Sequence, residues 1–391
     1  MNYSLSKTMH EAMRLMQTGD LHAATAAIQR GLIGLTGADD QSAFHSGYAG
    51  SAPVKPWIDA ESRVVDVADP EPATEHPDLE PPREIGEPTG EQFQQDSFTC
   101  AAGTRQYKLF IPKGHQGRQL PLLVMLHGCT QSPDDFARGT RMNQFAEEEG
   151  YCVAYPAQSA RDNPTKCWNW FRPADQCRDR GEPAIIAELT RHLVRAHRLD
   201  PARVYVAGLS AGAAMAIILA RTYPDIYAAA GIHSGLPYGS AHDVPSAFAA
   251  MKQGSGISAA GTNATNQVLG APVPTIVFHG DRDLVVDAHN GDMVIAQSMA
   301  SLGESVSDAD SYGANDKQVE RGVVPGGYSY TRTMLLDPQG RVLAEQWLVH
   351  GAGHAWFGGD PSGSYTDPKG PDAAAEMLRF FATHETKYGS N

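Results

Sequence analysis

The chain has 391 residues, 41% hydrophobic and 19% charged, enough apolar content for a sizeable buried core. A formal net charge of −14 makes nucleic acid and anionic membrane surfaces poor partners. No apolar stretch approaches the length needed to span a bilayer as a helix.

Residues 1–32 read as a short helical segment. Met9, Met13, Leu15 and Met16 share one face, and a second stripe of Leu21, Ala24, Ile28 and Leu32 follows a capping Asp20. This segment suits packing or self-association better than chemistry. It lacks the basic, apolar, then small-residue layout of a secretory leader, so the expectation is a cytoplasmic protein. Residues 33–95 turn to Gly, Ser, Pro and acid, ending in "DPEPATEHPDLEPPREIGEPTGEQ". Too little apolar surface is available there to offset ordering entropy, which predicts a linker.

Residues 96–391 alternate strand and helix patterns. "RQYKLFIP" alternates like an outer strand, and "PLLVMLHG" is a solid apolar run. A polar helix over 133–149 leads to the buried strand "YCVAYP". The helix "GEPAIIAELTRHLVRAH" comes next, with Ile185, Ile186, Leu189, Leu193 and Val194 on one face. "RVYVAGLS" opens an alanine-rich helix, and "YAAAGIHSG" and "PTIVFHGDRD" add two more strands. Repeated βα units of this kind predict an α/β fold with a mostly parallel, doubly wound sheet. Residues 236–273 interrupt the rhythm and are expected to cover the sheet's carboxyl edge. Residues 301–327 are polar and read as irregular. "YSYTRTMLLD" and "VLAEQWLVHG" then flank a "PQGR" turn as a late strand pair, and a helix over 373–383 closes the chain.

Within this frame, "VYVAGLSAGAAMA" places Ser210 between Gly208 and Gly212 where a buried strand becomes a helix. A serine there can simply cap the helix. Equally, the glycines permit a sharp corner that lifts a nucleophilic hydroxyl above the sheet. Such a hydroxyl needs a base, a group that orients the base, and donors for an oxyanion. The acid should follow in "VFHGDRDLVVD", where Asp281, Asp283 and Asp287 compete. Asp283 falls in the loop beyond the strand and is preferred, Asp281 being a turn residue. The imidazole should follow in "HGAGHAWFGG", where His354 lies in a glycine-rich loop and His350 ends a strand. "LHGCTQ" supplies backbone N–H groups after an early strand, with Cys129 the expected donor beside the N–H of Ala211.

"HGCTQ", "CWNWF", "GLSAGAAMA", "HSG", "HGDRDLVV" and "GAGHAWFGG" together resemble the poly(3-hydroxybutyrate) depolymerase family of α/β-hydrolase esterases, over about 100–384. The resemblance implies ester hydrolysis, including short polyhydroxyalkanoate chains, through an acyl-enzyme and without metal or other cofactor. It assigns a triad to Ser210, Asp283 and His354, and an oxyanion segment to His127, Gly128 and Cys129. The secreted, polymer-degrading members carry a leader and a polymer-gripping domain that this sequence does not show, which favours soluble oligomers or small esters as substrates. Trp168, Trp170, Tyr238 and Trp356 are expected to line the acyl and alcohol pockets beside His127 and Gly128.

Cys129 and Cys167 fall in loops expected at the rim, so a bridge between them is one arrangement. A reducing compartment would instead leave all five thiols free. The implied partner is an ester, with neither nucleic acid nor membrane, and self-association through the N-terminal helices stays open. Feruloyl and acetylxylan esterases share the fold and motifs and form the first alternative. A non-catalytic hydrolase-like binding protein is a remote second, since its mark would be a broken triad.

Overall fold

Six strands whose side chains are almost all buried pair in parallel at the centre of the sheet. They are β4 (Leu122–Leu126), β5 (Cys152–Pro156), β6 (Val204–Leu209), β7 (Ala229–His233), β8 (Thr275–Gly280) and β11 (Val342–His350). Burial on both faces explains why they read as solid apolar runs rather than alternating ones. In this computed structural model, residues 63–66, 92–113, 118–253, 273–303 and 317–386 are described. The helical segment expected over 1–32 lies outside them, as does the expected linker except for 63–66 and 92–95.

Around that centre the sheet extends, among the described residues, to eleven strands. β1 (Arg63–Asp66), β9 (Lys317–Val323) and β10 (Ser329–Leu336) lie beyond β11, while β3 (Gly103–Phe110) and β2 (Phe93–Cys100) lie beyond β5. The spatial order is β1-β9-β10-β11-β8-β7-β6-β4-β5-β3-β2. β9, β10 and β11 pair antiparallel, as do β2, β3 and β5, whereas β1 runs parallel to β9. A two-stranded ribbon, β12 (Trp356–Phe357) with β13 (Thr366–Asp367), forms apart from the sheet.

Helices cover both faces. On one, α1 (Pro133–Thr140), α2 (Met142–Glu149) and α7 (Ala373–Phe381) share a core with Leu123, Met125, Tyr205, Ala207, Leu209, Ile276 and Phe278. Alternate strand residues point the other way, where α4 (Ala211–Thr222) packs on β4, β6 and β7, and α6 (His289–Gly303) on β8 and β11. α3 (Gly181–Ala196) packs against α4, β2 and β3. α4 is buried from Ala211 to Ala220, because a run of alanines lets its backbone approach the strands closely. α5 (Val244–Gln253) belongs to the insertion expected at the carboxyl edge.

Three local expectations change. The helix read over 133–149 is two, divided at Arg141, whose left-handed backbone (φ 56°) ends α1 and starts α2. Residues 301–327 are not irregular throughout: α6 extends to Gly303, and Lys317–Val323 is β9. Its charges obscured it, and Glu320 is held across the ladder by Arg332 on β10 at 3.1 Å. Phe93–Cys100 likewise forms a hairpin strand with β3 that its polar composition hid.

Candidate active site

β6 ends directly beneath Ser210, which takes φ 57° and ψ −119°, a conformation uncommon for a residue with a side chain. The Ser210 amide donates to His233 O at 2.9 Å, fixing the corner to β7. The two flanking glycines are needed for a steric reason. A Cβ on Gly212 would lie 2.0 Å from Leu126 O, and one on Gly208 would lie 2.4 Å from the carbonyl carbon of Gly212. Helix α4 can therefore sit against the end of β4 only with no side chain at these positions. The hydroxyl makes no capping bond to α4, so the plain helix-cap explanation of this serine fails.

Two strands away, the turn after β8 carries Asp283, only 8% exposed. Its Oδ1 accepts from the amides of Val285 (2.8 Å) and Val286 (2.9 Å). Its Oδ2 accepts from His354 Nδ1 at 2.6 Å. Burial alone would raise this carboxyl. The charge and hydrogen bond of His354, with the His279 ring close by, outweigh that and hold it well below the usual carboxylate range. The competing residues find each other instead: Asp281 receives His350 Nδ1 at 3.0 Å and the Gly351 amide at 2.7 Å, near the surface. Asp287 accepts from the His289 amide at 2.9 Å, at the start of α6.

The loop bearing His354 is pinned over the end of β8, where Arg282 N donates to Ala352 O at 3.0 Å and Asp281 N to Val349 O at 3.1 Å. Steps between neighbouring strands are about 4.8 Å, so β6 and β8 stand roughly 10 Å apart at this edge. The Ser210 hydroxyl makes no hydrogen bond to a described residue, and base–nucleophile bonds often close only around substrate.

The segment after β4 is held open at one amide. Gly128 N donates to Gln131 Oε1 (2.8 Å), Thr130 N to Thr165 O (2.8 Å) and Gln131 N to Gly128 O (3.3 Å). Cys129 N donates to no described residue. Ala211 begins α4, so its amide lacks an intrahelical acceptor. Cys129 and Cys167 are joined by a disulfide with their Cα atoms 4.2 Å apart, the first of the two arrangements the sequence leaves open. Trp168 Nε1 to His127 O (3.0 Å), together with the Thr130–Thr165 bond, draws the two loops into register for it.

The remaining residues expected at the pocket are mostly internal. Trp168 and Trp356 are 0% exposed and His127 1%. His127 donates Nδ1–H to Gly128 O (2.7 Å) and accepts the Gln158 amide at Nε2 (3.1 Å), so its ring braces the Gly128 loop from behind. Burial lowers it to about 4. Gly128 also packs from behind, against Leu209 and Gln131. Trp170 is nearly buried beside Phe171, and Tyr238 is half-buried with its hydroxyl on Gln176 O at 2.9 Å. Two histidines quoted in motifs but given no role prove central: His233 and His279, both wholly buried. His233 accepts the Phe357 amide at Nε2 (3.1 Å) and stacks between Phe278 and Trp356. Among the described residues, no group of three or more His, Cys, Asp or Glu is placed to hold a metal ion.

Comparison with known proteins supports the fold and sets the lineage. Residues 105–319 match the family model described as esterase PHB depolymerase. The chain is 32% identical to poly(3-hydroxyalkanoate) depolymerase C of Paucimonas lemoignei over 67% of its own length and 61% of the relative's. It is 28% identical to poly(3-hydroxybutyrate) depolymerase of Ralstonia pickettii, over 69% and 55%. The chain thus spans less than two thirds of either relative. Among solved structures, an acetyl xylan esterase from Aspergillus awamori superposes with a TM-score of 0.57 at 18% identity, covering 74% of this chain and 99% of that one. That likeness agrees with the sheet order in giving the α/β-hydrolase fold. The chain belongs to the esterase PHB depolymerase family.

Proposed function

We propose that this protein is a serine esterase that hydrolyses carboxylic esters through an acyl-enzyme on Ser210. The observation that carries the reading is the buried Asp283–His354 pair, at 2.6 Å, on the same sheet edge as a strained, uncapped serine. The Ser210 hydroxyl attacks the ester carbonyl while His354 Nε2 takes its proton. Asp283 keeps Nδ1 protonated, which leaves Nε2 bare to act as base, and its charge stabilises the imidazolium that forms. The free amides of Cys129 and Ala211 take up the oxyanion. His354 then protonates the departing alcohol, and water repeats the sequence on the acyl-enzyme.

The substrates proposed are short hydroxyalkanoate esters or their oligomers, the chemistry named for the two depolymerase relatives. A panel of hydroxybutyrate oligomers, feruloyl esters and acetylated sugars tests this, with acyl and alcohol parts varied separately. The highest kcat/KM should fall on the hydroxybutyrate series, and preference for feruloyl or acetyl sugars would reassign the substrate. Ser210→Ala should lower kcat by on the order of 10⁴ on every active member. A variant keeping a tenth of wild-type kcat would remove Ser210 from the nucleophile's role.

A further inference from the structure

His279, near the end of β8, has no part in the cycle above. Its Nε2 lies 2.9 Å from Val286 O and 3.5 Å from Asp283 Oδ2. A carbonyl oxygen only accepts, so Nε2 carries a proton. Nδ1 is buried with no hydrogen-bond partner among the described residues, and the α6 backbone closes that side: a Cβ on Gly291 would come within 3.1 Å of it. A bare nitrogen there forfeits one acceptor. A second N–H would be an orphaned donor bearing a buried charge, a much larger penalty. The geometry therefore places the donor proton on Nε2 and leaves Nδ1 bare.

The consequence is a closed set of bonds around Asp283. Val286 gives its amide to Oδ1 and its carbonyl to His279, so β8, the turn and the carboxylate are locked together. Oδ2 then faces two imidazoles, His354 from the loop after β11 and His279 from β8. The other titratable groups nearby are engaged elsewhere. His233 on β7 accepts the Phe357 amide, and His289 and Asp292 of α6 pair with each other at 3.4 Å.

We propose that His279 is a positioning residue for the acid–base pair: its Nε2–H, given to Val286 O with Asp283 Oδ2 3.5 Å away, holds the turn whose amide binds Oδ1, fixes the carboxylate in the rotamer that meets His354 and draws off part of the charge on Oδ2. The inference rests on the roles proposed for Asp283 and His354. His279→Gln keeps an N–H donor at nearly the reach of Nε2. His279→Asn sets its amide near the Nδ1 position, too short to reach Val286 O or Oδ2. Both are polar and smaller than imidazole, so a merely structural loss would weaken them alike.

His279→Asn should lower kcat by about tenfold to a hundredfold, the usual range for losing an outer hydrogen-bond partner, with KM little changed. Without the donor, Oδ2 holds the His354 imidazolium more firmly, so the acid limb of kcat/KM moves to higher pH. His279→Gln should restore both rate and limb. An unaltered rate and pH profile in His279→Asn, or equal losses in the two variants, overturns the proposal. If His279→Asn does not fold, nitrogen-15 NMR of the wild-type histidines decides. A ring at 279 that carries its proton on Nε2 at the assay pH supports the assignment, and a proton on Nδ1 there overturns it. Ser210→Ala, assayed alongside, keeps the two claims apart: retained activity there refutes the esterase mechanism, whereas its loss beside a normal His279→Asn refutes only the role of His279.

Discussion

Acidification from pH 7 to pH 5 should destabilise the fold through its buried neutral histidines, and His127 fixes the scale. Both of its ring nitrogens are engaged as those of a neutral ring, and burial lowers it to about 4. The unfolded chain takes up this proton near the ordinary value of about 6.5, whereas the folded chain resists until about 4. Stability therefore falls as pH drops through 6.5 and levels off below 4. Between pH 7 and 5 the difference in proton uptake amounts to about 2 kcal/mol for this one ring. His384, lowered by burial to about 4 as well, adds a similar loss, and His233 acts in the same direction. Urea unfolding at the two pH values measures the total. His127→Gln retains an acceptor for the Gln158 amide but cannot titrate, so its loss over the same interval should be smaller than wild type by about 2 kcal/mol. Equal losses in the two proteins would refute the neutral-ring assignment.

Other consequences follow from the same geometry. Asp283→Asn leaves the turn nearly isosteric but no longer holds the proton on His354 Nδ1, so kcat should fall on the order of 10⁴, about 5 kcal/mol in the barrier; a loss under tenfold in steady-state assays would contradict the triad. Gly212→Ala drives a methyl into Leu126 O and His127 O, and should cost about 3 kcal/mol or more in urea unfolding, together with most of the activity. Because the Cys129–Cys167 bridge closes a loop with a sequence separation of 38, its removal as a double serine variant should lower unfolding free energy by about 4 kcal/mol by chain entropy. Unchanged stability in that variant would contradict the bond.

The central parallel strands and the serine corner were legible because their signals are local. "VYVAGL" reads as a doubly buried strand from its β-branched residues and the glycines beside it, and those glycines mark a close approach to β4 that the structure measures. Asp283 and His354 could be chosen over Asp281 and His350 from their places relative to strand ends, and the structure pairs each couple separately. His279 and His233 stayed silent because a histidine inside an apolar strand reads as core, and only the third dimension brings it to a carboxylate or an amide. Trp168 looked like a pocket wall from the polar flanks of its loop, and Trp356 from its place beside His354. Their burial comes from partners far along the chain, the His127 carbonyl for Trp168 and the ring of Phe136 for Trp356. Strand β9 was hidden by Lys317, Glu320 and Arg321, of which Glu320 pairs with an arginine across the ladder.

The most direct test of the account is to expose the folded protein to a fluorophosphonate probe and map the modified peptide by mass spectrometry. The account predicts a single adduct on Ser210, formed slowly or not at all when Asp283 or His354 is replaced. Failure to label, or an adduct on any other residue that persists in Ser210→Ala, would contradict it.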